Sequence, residues 1–115
     1  MRKSMASLVA LATLVVVPAA ADHMYVDTET LYGWCKVREV GPSSAPYCTG
    51  YINGVADILA HGVMIHDNRA CVPEQVRLDD LRDLVVEALE LRPKVGHKNA
   101  HDWVAKAIAD AFPCS

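Results

Sequence analysis

Four cysteines, Cys35, Cys48, Cys71 and Cys114, constrain this chain more than any other feature, because all four follow an N-terminal stretch that reads as an export signal. An even set of cysteines in a short exported chain is a disulfide framework. Its compartment is then an oxidising one. Its core can be small, because crosslinks supplement apolar burial.

Arg2 and Lys3 give the chain a positive start. Leu8 to Val17 is apolar apart from Thr13, Pro18 ends the run, and Ala19-Ala20-Ala21 offers small residues to a signal peptidase. This pattern predicts a signal peptide over residues 1–21 and one domain over residues 22–115. The apolar run is shorter than the roughly 20 residues of a membrane-spanning helix. No cysteine follows the small residues to carry a lipid, so the mature form is expected to stand free of the membrane. Cleavage would remove Arg2 and Lys3 and leave the domain more acidic than the formal −3 of the whole chain. With no basic block, nucleic acid and anionic membranes are poor partners.

Apolar residues in the rest of the chain recur at helical spacing, and no stretch alternates as a strand would. Asp27 or Thr28 can cap a first helix, with Glu29 in its first turn and Leu31, Trp34, Cys35 and Arg38 along one face. Gly41-Pro42-Ser43-Ser44 breaks it, and Ser44 with Pro46 opens a second. The second helix has an apolar face of Cys48, Tyr51, Ile52, Val55, Ile58, Leu59 and Gly62. Gly50 and Gly54, one turn apart, suggest close approach of another backbone. A third helix spans Leu78 to Leu91, with Leu81, Leu84, Val85, Ala88 and Leu89 inward and Asp79, Asp80 and Asp83 near its start. Pro93 stops it. After a loop from Lys94 to Lys98, Asn99 can cap a fourth helix with Ala100, Trp103, Val104, Ala107, Ile108, Ala111 and Phe112 inward. The fold class is all-α, a small disulfide-stapled four-helix bundle.

The bundle restricts the pairing of the cysteines. One short turn separates Cys35, late in helix 1, from Cys48, early in helix 2. Cys71 lies in the loop after helix 2, expected at the opposite end. Helices 3 and 4 make one round trip and return Cys114 to that end. Bonded cysteines need Cα atoms within about 7 Å. Cys35–Cys48 and Cys71–Cys114 satisfy this, whereas the alternatives cross about 20 Å of helix.

Catalytic and metal chemistry find little support in local spacing. No cysteine pair has the close spacing of a zinc site. His97 and His101 are one turn apart, but helix 4 is expected to begin between them. His61 and His66 do not share a helical face. Gly50 and Gly54 lack the lysine and serine of a phosphate loop. Trp34, Tyr51 and Trp103 fall on apolar faces and read as packing residues. The acidic first turn of helix 3 reads as a solvated helix start. No catalytic residue, metal ligand or cofactor is therefore assigned.

Several short pieces carry a family resemblance. They are Cys48-Thr49-Gly50-Tyr51-Ile52-Asn53-Gly54-Val55, Cys71-Val72-Pro73 and Ala111-Phe112-Pro113-Cys114, preceded by Leu31 and Cys35 in one helix. In this order the chain resembles the Rap–Tai family of type VI secretion immunity proteins over the whole of residues 22–115. It departs from the family at Arg77, where members usually carry threonine or serine. The segment from His61 to Arg69 matches no family motif.

The resemblance implies a helical periplasmic protein, often a homodimer, that occludes the active site of a peptidoglycan amidase delivered by sibling cells. It carries over no catalytic residue. Under it, the polar loop His66, Asp67, Asn68 and Arg69 is the leading contact segment for the toxin, because Cys71–Cys114 would hold its base rigid. Two other classes stand beside this reading. One is an acid-stress chaperone, or an orphan binding protein on the same scaffold, with five histidines and fourteen acids to sense pH. The other is an enzyme, which the residues support least.

Overall fold

In the computed structural model, residues 8–15, 24–36, 45–93 and 98–115 are described. The positive start of the expected signal, the expected cleavage point after Ala21, Arg38, the expected break at 41–44 and His97 all lie outside them. Four helices follow in order: α1 (Thr28–Cys35), α2 (Ala45–Ala60), α3 (Leu78–Glu90) and α4 (Ala100–Ala111). The described residues contain no strand, only two isolated bridges. Each helix packs against the other three. The fold is the expected all-α bundle.

Apolar spacing explains what meets inside. Leu31, Ile52, Leu59, Val85, Leu89, Val104 and Ile108 are fully buried. Each such side chain contributes roughly 1.5–3 kcal/mol over leaving it exposed. Two faces differ from expectation. In α2 the buried stripe is Cys48, Ile52, Val55, Ala56 and Leu59, and Ile58, one step round the helix, is 46 % exposed. In α4, Ala105 is buried instead of Ala111, which is exposed. Gly50 and Gly54 are also exposed, and a methyl group built on either would meet nothing within 4 Å. The close backbone approach expected at these glycines is therefore absent within the described residues.

Helix ends are satisfied in different ways. The Asp27 carboxylate accepts from the Thr30 amide at 2.7 Å, capping α1 as expected. Gly62 does not line the α2 face; it ends the helix. With φ +81 it takes the left-handed position after the last turn. The Gly62 amide donates to Leu59 and the Val63 amide to Ile58, which closes a Schellman motif. Asn99 precedes α4, but its side chain caps no amide. Arg77 likewise gives α3 no side-chain cap.

The starts of α1 and α4 satisfy each other instead. The Thr28 amide donates to Lys98 at 2.9 Å, and the Ala100 amide donates to Val26 at 3.1 Å. These bonds place the two helix N-termini together and account for amides that helical geometry leaves unpaired. The end of α3 reaches the same place. Arg92, 6 % exposed, donates from Nε and from one terminal nitrogen to the two Glu29 oxygens, both at 2.8 Å. Its other terminal nitrogen donates to the Leu89 carbonyl at 3.0 Å, and its guanidinium lies 3.7 Å from the Tyr32 ring centroid. The Glu29 hydrogen bonds raise the Arg92 pKa further above its already high value.

Both expected disulfides are present, Cys35–Cys48 and Cys71–Cys114. The loop after α2, expected simply to hold Cys71 at one end of the bundle, instead travels along a helix. Residues 66–71 run lengthwise along α4. His66 meets Asp102 in its first turn, and the Cys71 amide donates to the Phe112 carbonyl just past its last. Five residues of extended chain span about 17 Å, close to the rise of about 15 Å over ten helical residues.

Two measurements check this account. Arg92→Ala should lower stability by about 2 kcal/mol in urea unfolding, below the cost of breaking a fully buried pair because Glu29 remains partly in water. The separations of 13 and 43 residues imply unequal crosslinks. The loop-entropy relation gives about 3 kcal/mol for Cys35–Cys48 and about 4 kcal/mol for Cys71–Cys114. The Cys71→Ser/Cys114→Ser pair should therefore have the lower urea midpoint.

Candidate functional site

The segment after α2 is built as a small hairpin. Ile65 and Asn68 exchange both backbone hydrogen bonds, at 3.1 and 3.0 Å, around His66 and Asp67. His66 sits in this turn with φ +50, a backbone region that favours glycine. Its imidazole is nonetheless well placed by α4. It stacks on the His101 ring, with centroids 5.7 Å apart and planes 21° from parallel. His66 Nε2 lies 2.7 Å from Asp102 Oδ1, and His101 Nε2 lies 3.2 Å from the same oxygen.

Asp102 is held from its other side. Asn99 Nδ2 donates to Oδ2 at 3.4 Å. Oδ1 is inaccessible to solvent and accepts no hydrogen bond of good geometry, despite the two nearby imidazole nitrogens. Contact distance alone is not a hydrogen bond; the N–H must also point at the oxygen. Tyr51, from α2, faces this corner. Burial raises its phenol pKa and the Asp102 charge adds to the rise, while a backbone hydrogen bond at His101 offsets part of it.

An open cleft of about 360 Å³ adjoins the cluster. Met24, Asn68, Lys98, Asn99, Asp102, Trp103 and Lys106 line it. Trp103 is fixed by donating from Nε1 to the Ala88 carbonyl of α3 at 2.9 Å. The cleft lining thus combines one carboxylate with two lysines.

The proposed contact segment divides here. His66, though itself exposed, and half-buried Asn68 turn toward α4, whereas Asp67 and Arg69 are exposed with no such contact described. Ala70 is buried, and Cys71 is bonded to Cys114, so the base of the segment is anchored. Tyr51 and Trp103 pack against the core, as does Trp34, whose ring tilts against Tyr47 at 5.4 Å. At the start of α3, Asp79 lies 3.5 Å from Arg82, and Asp83 pairs with the same arginine. These pairs are solvated and contribute little.

Local spacing paired His97 with His101 and separated His61 from His66. The structure brings together His66 and His101, which are far apart in sequence, and adds Asp102. No local signal announces this, because the crossing of residues 66–71 over α4 creates it. The Glu29–Arg92 pair was missed because it too joins residues far apart in sequence, brought together by the packing of the end of α3 on α1.

These features define a class: a crosslinked helical domain that offers an anchored polar turn and a charged cleft. The model of the Rap1a immunity proteins matches residues 27–114, which take in all four helices and both disulfides. The chain belongs to the Rap1a immunity protein family. No curated protein and no solved structure matches it. Membership implies an immunity role exerted by binding a cognate effector toxin, in keeping with the resemblance read from the cysteine-bearing motifs.

The unusual environment of Tyr51 is open to measurement. Burial and the Asp102 charge should keep the Tyr51 phenol protonated above its ordinary range. An alkaline absorbance titration in chelator-treated buffer should show one late phenol. Tyr51→Phe should remove that late step.

Proposed function

We propose that this chain is a periplasmic immunity protein that binds and occludes the active site of a peptidoglycan amidase delivered by type VI secretion. The observation that carries this reading is the extent of the family match, residues 27–114, which coincides with the crosslinked helical domain. Disulfides that hold the fold together favour an oxidising compartment. Leu8, Val9, Leu11, Leu14 and Val15 are all exposed and bury nothing, as suits a signal segment over 1–21 that is removed after export. No helix among the described residues is long and apolar enough to cross a membrane.

Occlusion needs a stiff projection, since a loop already ordered loses less entropy when it binds. The turn at 66–69 meets that need. Its base is tied by Cys71–Cys114, its own backbone bonds are closed, and Asp67 and Arg69 face outward. The outer side of α2, bare at Gly50 and Gly54 and flanked by exposed Tyr47 and Ile58, is the surface open to a homodimer.

Growth of a deletion strain beside a toxin-secreting parent tests the role directly. The strain should lyse, and the wild-type chain should rescue it. With the purified amidase, Asp67→Ala/Arg69→Ala should weaken inhibition by about thirty-fold, the loss expected when two interface residues each cost near 1 kcal/mol. Unchanged inhibition would remove this turn from the interface. Client protection in acid without amidase inhibition would instead support a chaperone.

A further inference from the structure

We propose that His66, His101 and Asp102 form a binding site for one divalent transition-metal ion of the zinc class. The inference goes beyond the immunity reading and stands independently of which toxin is bound. It rests on the convergence of three ligand atoms from two separate elements, all within 4.8 Å of one another.

The donor set selects the ion. Two imidazole nitrogens and one carboxylate oxygen suit zinc and its neighbours, whereas calcium and magnesium prefer oxygen alone. Ligand atoms around a tetrahedral zinc, bonded at about 2.0–2.1 Å, lie roughly 3.3 Å apart. The observed separations from Asp102 Oδ1, 2.7 and 3.2 Å, need only a small expansion. The rings stand 21° from parallel, so one must rotate about χ2 to aim its lone pair at a shared ion. That torsion is soft in histidine.

Two further observations point to a ligand. Asp102 Oδ1 is sealed from solvent yet accepts no well-aligned hydrogen bond, while Asn99 holds the other oxygen in place. A buried carboxylate oxygen without a partner is costly, and a cation removes that cost. His66 also occupies a turn position whose φ of +50 favours glycine. A histidine there accepts backbone strain while its ring is set against α4. Three protein ligands leave one position open, and the adjoining cleft gives it access to water or to a donor from a partner. Bound metal would clamp the 65–68 hairpin onto α4. No free cysteine among the described residues competes for the ion.

The test uses the untagged, oxidised chain, stripped with chelator and titrated with Zn²⁺ and Co²⁺. Isothermal titration should show saturable binding of one Zn²⁺ per chain. Zn²⁺ should raise Tm by mass action, and Co²⁺ should give visible bands of low-coordinate nitrogen–oxygen ligation. His66→Gly suits the local backbone and should keep the helical spectrum and unfolding midpoint. It should lower Zn²⁺ affinity by more than about ten-fold, at least the loss seen when a mere supporting residue is removed. His101→Asn should do the same, and His61→Asn, outside the cluster, should change nothing. Absence of saturable binding at millimolar Zn²⁺ overturns the proposal. So does retention of affinity in either His66→Gly or His101→Asn, or an equal loss in His61→Asn.

Discussion

The Cys71–Cys114 bond is the constraint on which the rest of this molecule depends. It joins the end of α4 to the chain segment between α2 and α3, whose Ile65, Ala70, Val72 and Val76 also pack against the core. Once Cys71 is tied there and the Cys71 amide is bonded to Phe112, residues 66–71 must lie along α4. That path brings His66 to His101 and Asp102, seats Asn68 beside the cleft and leaves Asp67 and Arg69 pointing outward. A domain this small has limited apolar area to bury, so crosslinks hold what packing alone would leave loose.

A second knot lies at the starts of α1 and α4. There, amides that no helix can satisfy internally bond across to Lys98 and Val26, and Arg92 closes the corner through Glu29. The two knots divide the work. One fixes the relative placement of helices; the other fixes a surface. A recognition protein benefits from this arrangement, because the proposed contact segment is ordered before the partner arrives. The bare outer side of α2 contributes to neither knot and carries no internal packing role at Gly50 or Gly54.

The helices, their order and the cysteine pairing were legible in the sequence, because each rests on local periodicity or on spacing between elements. Asp27 as a cap follows from residue type, and Leu81, Val85 and Leu89 as a core stripe follow from helical spacing. Other features were misread for identifiable reasons. Gly62 falls at helical spacing on the α2 face, so periodicity assigned it to packing; its role comes from backbone φ. Ile58 is apolar and adjacent to Leu59, but the core covers only one side of the helix. The candidate site was partly legible. His66 and Asn68 were singled out as polar loop residues, whereas their meeting with α4 depends on a crossing that no short window of sequence contains.

Hydrogen–deuterium exchange of the oxidised chain, alone and bound to its cognate effector toxin, tests the central claim most directly. The claim is that a pre-ordered turn, anchored through Cys71–Cys114, meets the toxin. It predicts that residues 65–70 gain protection on binding while the cores of α3 and α4, already slow to exchange, do not change. Protection confined to the outer side of α2, with residues 65–70 unaltered, would contradict it.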